Sequence, residues 1–396
     1  MSVRIRITLA SFLAYCVMSG MLSPIGIVLP SVAEHLSLSV TEAAELFSWL
    51  TLGILLGAAL ALVVFDVLTV RAAMLVVSLV IVASLLSMRL VESIWVIRIA
   101  LGAVGTSCGI LLAAAASAIS LLYDEDRRAS MLVITDGAFS VAGAATSSLA
   151  VLLVAAAMHW SSVYLLVAAL AVAIIVLAAS AEFPVAPRAI ATSGAANLRW
   201  PAPVWLCIVA LFLYTLGQYS LLWWLPNYLE TSLGVARDDA GAVVARFWTG
   251  MLAGQLFVAW WVLRIGARRL VLLSVSATFL GSLPLWTVPL AAWLPWLALL
   301  WGVANFGLLK MVIAFASLTV ETPTPRLIAA LLFGATSGTA VSPAVTSLVV
   351  ESGGSLRVLQ FGSFCYFLLA LLVFLAHVLS REQSVAPAMA MSEEVK

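Results

Sequence analysis

Long apolar runs alternate with short polar connections along the whole chain. Each run is close to the 20 or so residues that an α-helix needs to cross the hydrocarbon core of a bilayer. The connections hold the charged residues, Pro and Gly that bound such helices. This pattern predicts an all-α polytopic membrane protein with twelve transmembrane helices. The predicted spans cover residues 8–30, 46–65, 72–88, 94–122, 130–157, 161–180, 204–228, 241–262, 270–289, 294–319, 328–350 and 358–379.

The composition agrees with this pattern and excludes a water-soluble domain. Of 396 residues, 64% are hydrophobic and 9% are charged, whereas soluble domains are near a quarter charged. The net charge of +1 excludes a strongly basic face for nucleic acid. The expected partners are therefore the lipid bilayer and a small-molecule substrate, without nucleic acid, and we expect a monomer.

The distribution of basic residues predicts the orientation, because short cytoplasmic loops collect Lys and Arg. If the N-terminus is inside, thirteen of the nineteen Lys and Arg residues fall on the inner side and three within spans. The three on the outer side are Arg89, Arg237 and Arg357. This asymmetry predicts a multi-pass protein of the bacterial inner membrane, with both termini cytoplasmic and the first span retained.

Similar sequence positions in the two parts of the chain predict an internal repeat. A shift of 197 residues places Gly53 and Gly57 on Gly250 and Gly254. Chance alignment of Ala-rich helices is the alternative. Two repeated six-helix halves around a central site are a common plan of secondary transporters. The predicted division is a first half at 1–181, a cytoplasmic linker at 182–203 rich in Pro, Ala, Ser and Gly, and a second half at 204–396 with a short cytoplasmic tail.

Several motif remnants resemble the major facilitator superfamily over the whole chain. The connection after the second span keeps Asp66 and Arg71 of a longer acidic, Gly and basic motif, and the matching loop of the other half is the basic stretch 264–269. The fourth span holds Arg98 four residues before Gly102, which is similar to the Arg motif of that helix. The resemblance implies the major facilitator fold, with spans one, four, seven and ten lining a central cavity.

A narrower resemblance is to the TsgA-like branch, which is grouped with the fucose permeases. The segments that carry it are Thr135-Asp136, Phe139-Ser140, Ala142-Gly143, Glu182-Phe183-Pro184, Leu216-Gly217-Gln218, Trp224 with Pro226, Asp239-Ala240-Gly241 and Phe247-Trp248. The chain lacks the Pro that drug and proton antiporters carry after Gly in span five, and it lacks the carboxylates that fucose permeases use in spans one and four. Both departures count against those two mechanisms.

Lys310 is the clearest candidate for binding the substrate. A charge in the middle of a bilayer is costly, so such residues usually face the bundle interior and are functional candidates. Lys310 lies about halfway along span ten, and we interpret it as an electrostatic hook for an anionic group. The alternative is a structural Lys whose charge is satisfied by a neighbouring helix.

Three further charged residues lie in spans or at their ends. Arg98 and Arg246 stand near the outer ends of spans four and eight, where they either line the cavity or extend to the headgroups. Glu45, at the outer start of span two, is a candidate gating partner, as Asp66 and Arg71 are at the inner gate. Asp136 is the sole carboxylate clearly within a span, so it is the candidate for proton coupling; permanent pairing with a cytoplasmic base is its alternative.

Polar and aromatic residues on spans one, seven, eight and ten complete the candidate site. The set assigned to substrate binding with the charged residues is Tyr15, Gln218, Tyr219, Trp223 and Asn305, and Tyr214, Trp224 and Gln255 are further lining candidates. The four Cys residues fall in apolar runs without close spacing, and the His residues fall outside the span centres. We therefore expect no metal site and no cofactor.

These features together predict a secondary active transporter rather than an enzyme. The expected substrate is a small polar solute, anionic or zwitterionic, because three buried cations outnumber one buried anion, and protons are a possible coupling ion. The alternative is a proton-driven exporter of amphipathic compounds or a secreted metabolite, which an aromatic cavity with Lys310 paired internally would favour. A membrane enzyme would need a His, paired Asp or metal motif near one face, and the sequence shows none.

Overall fold

The computed structural model describes residues 2–91, 93–123, 125–183, 200–288, 293–305, 307–320 and 325–393. The side chains of residues 62, 66, 125–130, 132–133, 258–263, 267, 325–326, 329 and 382–393 lie outside this description. The described elements are α-helices: α1 Val3–Leu22, α2 Ile25–Leu36, α3 Val40–Val67, α4 Val70–Leu90, α5 Ile94–Leu122, α6 Glu125–Ala155, α7 Ser162–Ala179, α8 Ala202–Leu233, α9 Arg237–Ile265, α10 Ala267–Ser282, α11 Pro284–Thr287, α12 Leu294–Ala304, α13 Leu308–Ser317 and α14 Pro325–Glu393.

The described helices account for the twelve predicted spans. Ten helical stretches within the described ranges are long and apolar enough to cross a membrane. The last of them, Ala330–Arg381, is 52 residues long and leaves helical geometry at Gly353 and Gly354, so it contains predicted spans eleven and twelve. Predicted span eight coincides with α9. The predicted linker lies outside the described residues from 184 to 199.

Three of the predicted spans are interrupted, and Pro or Gly marks each break. The first span divides between α1 and α2 at Pro24, which has no N–H to continue the helix. The ninth divides between α10 and α11 at Pro284. The tenth divides between α12 and α13 next to Gly307, whose φ of 57° lies in the left-handed region. Hydropathy alone does not reveal such breaks because the apolar run continues through them.

Glycine contacts repeat between the two parts of the chain with the predicted shift. A Cβ on Gly105 of α5 would overlap the carbonyl oxygen of Leu50 in α3. A Cβ on Gly302 of α12 would overlap the carbonyl oxygen of Phe247 in α9. Both positions of the second pair lie 197 residues after those of the first, since 302 − 105 and 247 − 50 are equal. The repeat therefore corresponds to equivalent helix pairs held at close backbone distance.

Gly105→Ala should lower the stability of the protein more than a Gly to Ala change elsewhere on the same helix. The new methyl group meets backbone of α3, which can move only with its helix, and overpacking of this kind costs about 1–3 kcal/mol. Thermal unfolding of the purified protein in detergent measures the loss. The matched control is Gly102→Ala, whose Cβ would find its nearest neighbours at 3.8 Å. Equal unfolding temperatures for the two variants would contradict the packing argument.

The first half, α1–α7, and the second half, α8–α14, meet along a few helix pairs. The main pairs are α3 with α14, α6 with α9, and α2 with α8. Thr51 donates a hydrogen bond to the carbonyl oxygen of Ala340 at 2.8 Å, and the Trp223 indole N–H donates to the carbonyl oxygen of Leu22 at 3.1 Å. Side-chain and backbone contacts thus join the halves around a central space.

The bundle has two ends, which we name for the residues they hold. The terminal face is the end at which the chain begins, with Arg6 donating to the carbonyl oxygen of Ser180 at 2.6 Å. The distal face is the opposite end and holds Glu34, His159 and Arg237. Between the two faces the outer surface exposes many large apolar side chains, such as Leu56, Ile99, Leu152, Leu256 and Leu348, as a surface in contact with lipid requires.

Candidate functional site

A cavity lies between the two halves, at the centre of the bundle. It encloses about 890 Å³ of empty space, including its mouth. Both halves contribute to its wall, so a molecule inside it would contact both. The lining residues are Tyr15, Met18, Leu22, Ile54, Leu112, Asp136, Phe139, Tyr214, Thr215, Gln218, Tyr219, Trp248, Met251, Gln255, Gly307, Leu308, Leu309, Lys310, Leu332, Ala335, Thr336 and Thr339.

An ion pair between the halves is the main polar feature of the cavity. The Lys310 Nζ atom lies 3.3 Å from the Asp136 Oδ1 atom. Asp136 is on α6 of the first half and Lys310 is on α13 of the second half. Their side chains are 35% exposed for Lys310 and 23% exposed for Asp136, so both charged groups keep a side open to the cavity. A solute in the cavity can reach both charges.

The break in span ten determines where Lys310 points. Gly307 begins α13 with a left-handed backbone, and Lys310 lies in the first turn of that helix. Gly307, Leu308 and Leu309 line the cavity together with Lys310. An uninterrupted helix would change the direction of this turn. The local sequence therefore places the ammonium group on the wall of the cavity.

Tyr, Gln and Thr side chains surround the ion pair with polar groups on an aromatic wall. Tyr15 of the first half and Tyr219 of the second line the cavity. Gln218 lines the cavity at 4% exposure. The Phe139 and Trp248 rings meet across the halves with centroids 5.5 Å apart. The wall can therefore bind the apolar part of a solute and also hydrogen-bond its polar part.

Two residues predicted for the site lie behind the cavity wall. Trp223 is 3% exposed, and its indole donates to the Leu22 carbonyl while its ring lies 5.1 Å from that of Tyr219. Asn305 is fully buried, and its Nδ2 donates to the carbonyl oxygen of Trp301 at the end of α12. They support the wall and do not line it in this structure.

Arg98 and Arg246 also lie away from the cavity. The Arg98 guanidinium stands 4.9 Å from the centre of the Trp95 ring, and that of Arg246 stands 5.8 Å from the centre of the Trp296 ring. Both Trp side chains are more than half exposed. Neither Arg lines the cavity in this structure. Each side chain extends towards the distal end of its helix and contacts an aromatic ring there, which is the alternative that the sequence left open.

The predicted gating residues take different positions. Arg71 donates to the carbonyl oxygens of Ala178 at 3.0 Å and Ala179 at 2.6 Å, so in this structure it closes the end of α7 in its own half. The Asp66 side chain lies outside the described residues. Glu45 is exposed at the start of α3, and the described ion pairs at that face involve other carboxylates.

Arg237 joins the two halves at the distal face, and the sequence had placed it only in an outer connection. Its guanidinium lies 2.6 Å from Glu34 of the first half and 3.0 Å from Glu230 of the second. The hydrogen bond from Arg237 lowers the pKa of the Glu34 carboxyl below its ordinary value, and the same bond raises the pKa of Arg237. The sequence did contain a signal for this role, because Arg237 is one of only three basic residues predicted on the outer side of the membrane.

The described side chains form no group of three or more His, Cys, Asp or Glu residues that could hold a metal ion. The four cysteines are free thiols, three buried and Cys16 partly exposed. The cavity wall offers charged groups, hydrogen-bonding groups and aromatic rings for binding.

Comparison with known sequences gives matches over most of the chain. A sequence model of the Major Facilitator Superfamily matches residues 7–236, which is 230 of 396 residues. A TsgA homolog from Erwinia tasmaniensis is 27% identical over 353 residues, covering 89% of each chain. Protein TsgA from Shigella dysenteriae serotype 1 is 26% identical over 382 residues, covering 96% of this chain and 97% of that protein.

Solved transporter structures have the same fold. A mutant of the nucleoside transporter NupG superposes with a TM-score of 0.74 at 12% identity, covering 96% of this chain and 100% of that one. The D-xylose-proton symporter superposes with a TM-score of 0.71 at 13% identity, covering 95% and 96% of the two chains. At such identities the likeness establishes the fold alone.

Proposed function

The chain belongs to the major facilitator superfamily, and from that premise we propose that it moves a small zwitterionic or anionic solute across the bacterial inner membrane. The mechanism would be alternating access, in which the two halves rock around a central site. The observation that carries the proposal is the Lys310–Asp136 pair, which joins the halves and faces the cavity.

The pair favours a zwitterion over a simple anion. The sequence predicted three buried cations and one buried anion, and in the structure Lys310 lies 3.3 Å from that anion, Asp136. A solute with one carboxylate and one ammonium group can bind Lys310 and Asp136 at the same time, replacing one ion pair by two. A net anion would gain Lys310 but would repel Asp136. The hydroxyls of Tyr15 and Tyr219 are available for further hydrogen bonds to the solute.

Arg237 links the two halves at the distal face, and we interpret this link as a closed gate. We assign the terminal face to the cytoplasm because most basic residues lie there. In this orientation the closed gate is on the outer side of the membrane. Release or uptake of solute would then occur at the cytoplasmic side, with the protein acting as a monomer.

Proton coupling at Asp136 follows from the same contact. The ammonium group of Lys310 lies 3.3 Å from the Asp136 carboxylate in this structure. Rocking of the halves would change the distance between Asp136 and Lys310 because the two residues belong to different halves. Proton occupancy and conformation would therefore be linked, since the carboxylate keeps its partner in one arrangement and loses it in the other.

Export of amphipathic compounds is the second candidate. Two observations favour it: Lys310 is paired internally, and Tyr, Phe and Trp rings form much of the cavity wall. An exporter of this kind would bind apolar cations or neutral amphipaths without needing Lys310. The response of Lys310→Ala to different ligands therefore separates the two candidates.

Thermal unfolding of the purified protein should reveal the substrate class. We expect zwitterionic solutes to raise the unfolding temperature more than anions or neutral sugars of similar size, and a ligand at 100 times its Kd stabilises by about 2.7 kcal/mol. Lys310→Ala should abolish the shift, because the carboxylate of the solute loses its partner. Lys310→Arg should retain part of it.

Arg246→Ala is the matched control, since it removes a basic residue from a span without touching the cavity lining. It should keep the full ligand shift. A zwitterion shift that survives in Lys310→Ala would contradict binding at the pair. Stabilisation by amphipathic compounds alone, unchanged in Lys310→Ala, would favour the second candidate.

A further inference from the structure

An aromatic ring of the cavity wall lies next to the ion pair. Asp136 and Phe139 are three residues apart on α6, so their side chains are neighbours on one face of the helix. Both residues line the cavity, and both are partly exposed. A solute that binds Asp136 through an ammonium group therefore brings its next few atoms to the Phe139 ring.

Buried indoles hold the rings of the wall from behind. Trp248 is fully buried, and its ring lies 5.5 Å from that of Phe139 at an angle of 56°. The indole rests on Gly143, one turn further along the same face of α6, where a Cβ would come within 2.7 Å of Trp248 Cδ2. Tyr219 has the same support, since the ring of the buried Trp223 lies 5.1 Å from its own. The aromatic surface is thus fixed before a solute binds.

The rest of the wall favours an apolar side group on the solute. Asp136 and Lys310 are the only charged residues among the described residues that line the cavity, and the two charges of a zwitterion occupy both. The hydroxyls of Thr215, Thr336 and Thr339 already donate to backbone carbonyl oxygens. A polar side group would leave water and find few free partners, which costs free energy.

We propose that the solute is a zwitterion with an aromatic side group, in the class of aromatic α-amino acids, and that Phe139 is the residue that sets this preference. The inference rests on the proposed function, because it needs the two charges of the solute at Asp136 and Lys310. Contacts between rings stabilise a complex beyond the area that they bury. Rings that are already fixed lose little freedom on binding. An aliphatic side group of equal size gains only from the buried area.

Calorimetric titration of the purified protein with phenylalanine and with cyclohexylalanine tests this preference. The two ligands share their charges and carbon skeleton, but only phenylalanine has an aromatic ring. Phenylalanine should bind about fivefold more tightly to the wild type, and Phe139→Leu should bring this ratio to about one. Phe279→Leu is the matched control and should keep the ratio, because Phe279 forms a similar ring pair with Phe367 outside the cavity lining.

Gly143→Ala provides a second variant that keeps Phe139. Its new methyl group displaces the indole of Trp248, so the ratio of the two affinities should also fall. A ratio that stays at the wild-type value in Phe139→Leu would overturn the role of Phe139.

The Lys310→Ala variant separates failure of this inference from failure of the proposed function. Equal affinities of the wild type for the two ligands, with binding lost in Lys310→Ala, would overturn the aromatic preference and leave the zwitterion site standing. If neither ligand binds the wild type, or if both bind Lys310→Ala unchanged, the site at the ion pair and the aromatic preference are both wrong.

Discussion

Asp136→Asn is expected to abolish the accumulation of solute driven by a pH gradient, while downhill exchange of the same solute continues. A gradient of two pH units is worth about 2.7 kcal/mol per proton, which supports about 100-fold accumulation if one proton moves with each solute. Asn cannot bind and release this proton, so the accumulation ratio should fall to about one. The amide can still accept a hydrogen bond from Lys310, so the cavity keeps its shape.

Proteoliposomes with and without an imposed pH gradient provide the measurement, using the solute that gives the largest thermal shift. Glu45→Gln is the matched control, because it neutralises an exposed carboxylate at the start of α3. That variant should accumulate solute as the wild type does. Accumulation that persists in Asp136→Asn would show that the coupling proton is carried elsewhere.

The general architecture was predictable because bilayer thickness fixes the length of a spanning helix. The predicted superfamily and its fold are confirmed by the family match and the solved structures. The predicted glycine repeat has a physical basis, since Gly53 of α3 packs against the backbone of α5 and Gly250 of α9 packs against the backbone of α12. The length of an apolar segment and the spacing of the glycines at a close helix contact are both visible in the local sequence.

The contacts between distant residues were not predictable in the same way. Lys310 and Asp136 were each selected for their depth in a span, but they are 174 residues apart, from 310 − 136. Their contact depends on how α6 and α13 face each other across the cavity, and hydropathy says nothing about that. The count of three buried cations and one buried anion did not reveal that Lys310 and Asp136 pair with each other.

The positions of Arg98 and Arg246 show why two alternatives remained open from the sequence. Both residues lie near the distal ends of their helices. Successive side chains on an α-helix point in directions about 100° apart. If the buried face of a helix is assigned one residue wrongly, a side chain expected in the cavity faces lipid instead. Trp95 and Trp296, which the two guanidinium groups contact, are exposed. Trp95, three residues before Arg98, was a signal available in the sequence, whereas Trp296 lies on a different helix from Arg246.

Arg237→Ala is expected to open the distal face. Arg237 is bound by Glu34 across the halves and by Glu230 in its own half. Its removal breaks the link and leaves two carboxylates facing each other without a cation between them. The Glu34 side chain is 64% exposed, so the link is worth about 1 kcal/mol. That energy shifts the population of the open arrangement about fivefold.

Spin labels can measure this opening directly. Positions 156 and 232 are exposed and lie near the distal ends of the first and second halves. With the four native cysteines replaced, the distance distribution between labels at these positions should gain a longer component in Arg237→Ala. Arg89→Ala removes another exposed basic residue near the same face and should leave the distribution unchanged. An unchanged distribution in Arg237→Ala would mean that helix packing alone keeps this face closed.

The same link predicts how acid affects the closed arrangement. The hydrogen bond from Arg237 lowers the pKa of Glu34. At pH values above the ordinary pKa range of Glu, the ion pair therefore stabilises the closed arrangement fully. This stabilisation is lost as pH falls through the lowered pKa, because a protonated Glu34 no longer carries the charge that Arg237 binds. Acidification should therefore lengthen the 156–232 distance in the wild type. In Arg237→Ala the link is already absent, so acidification should change the 156–232 distance much less. An equal change in both proteins would mean that other titrating groups cause it.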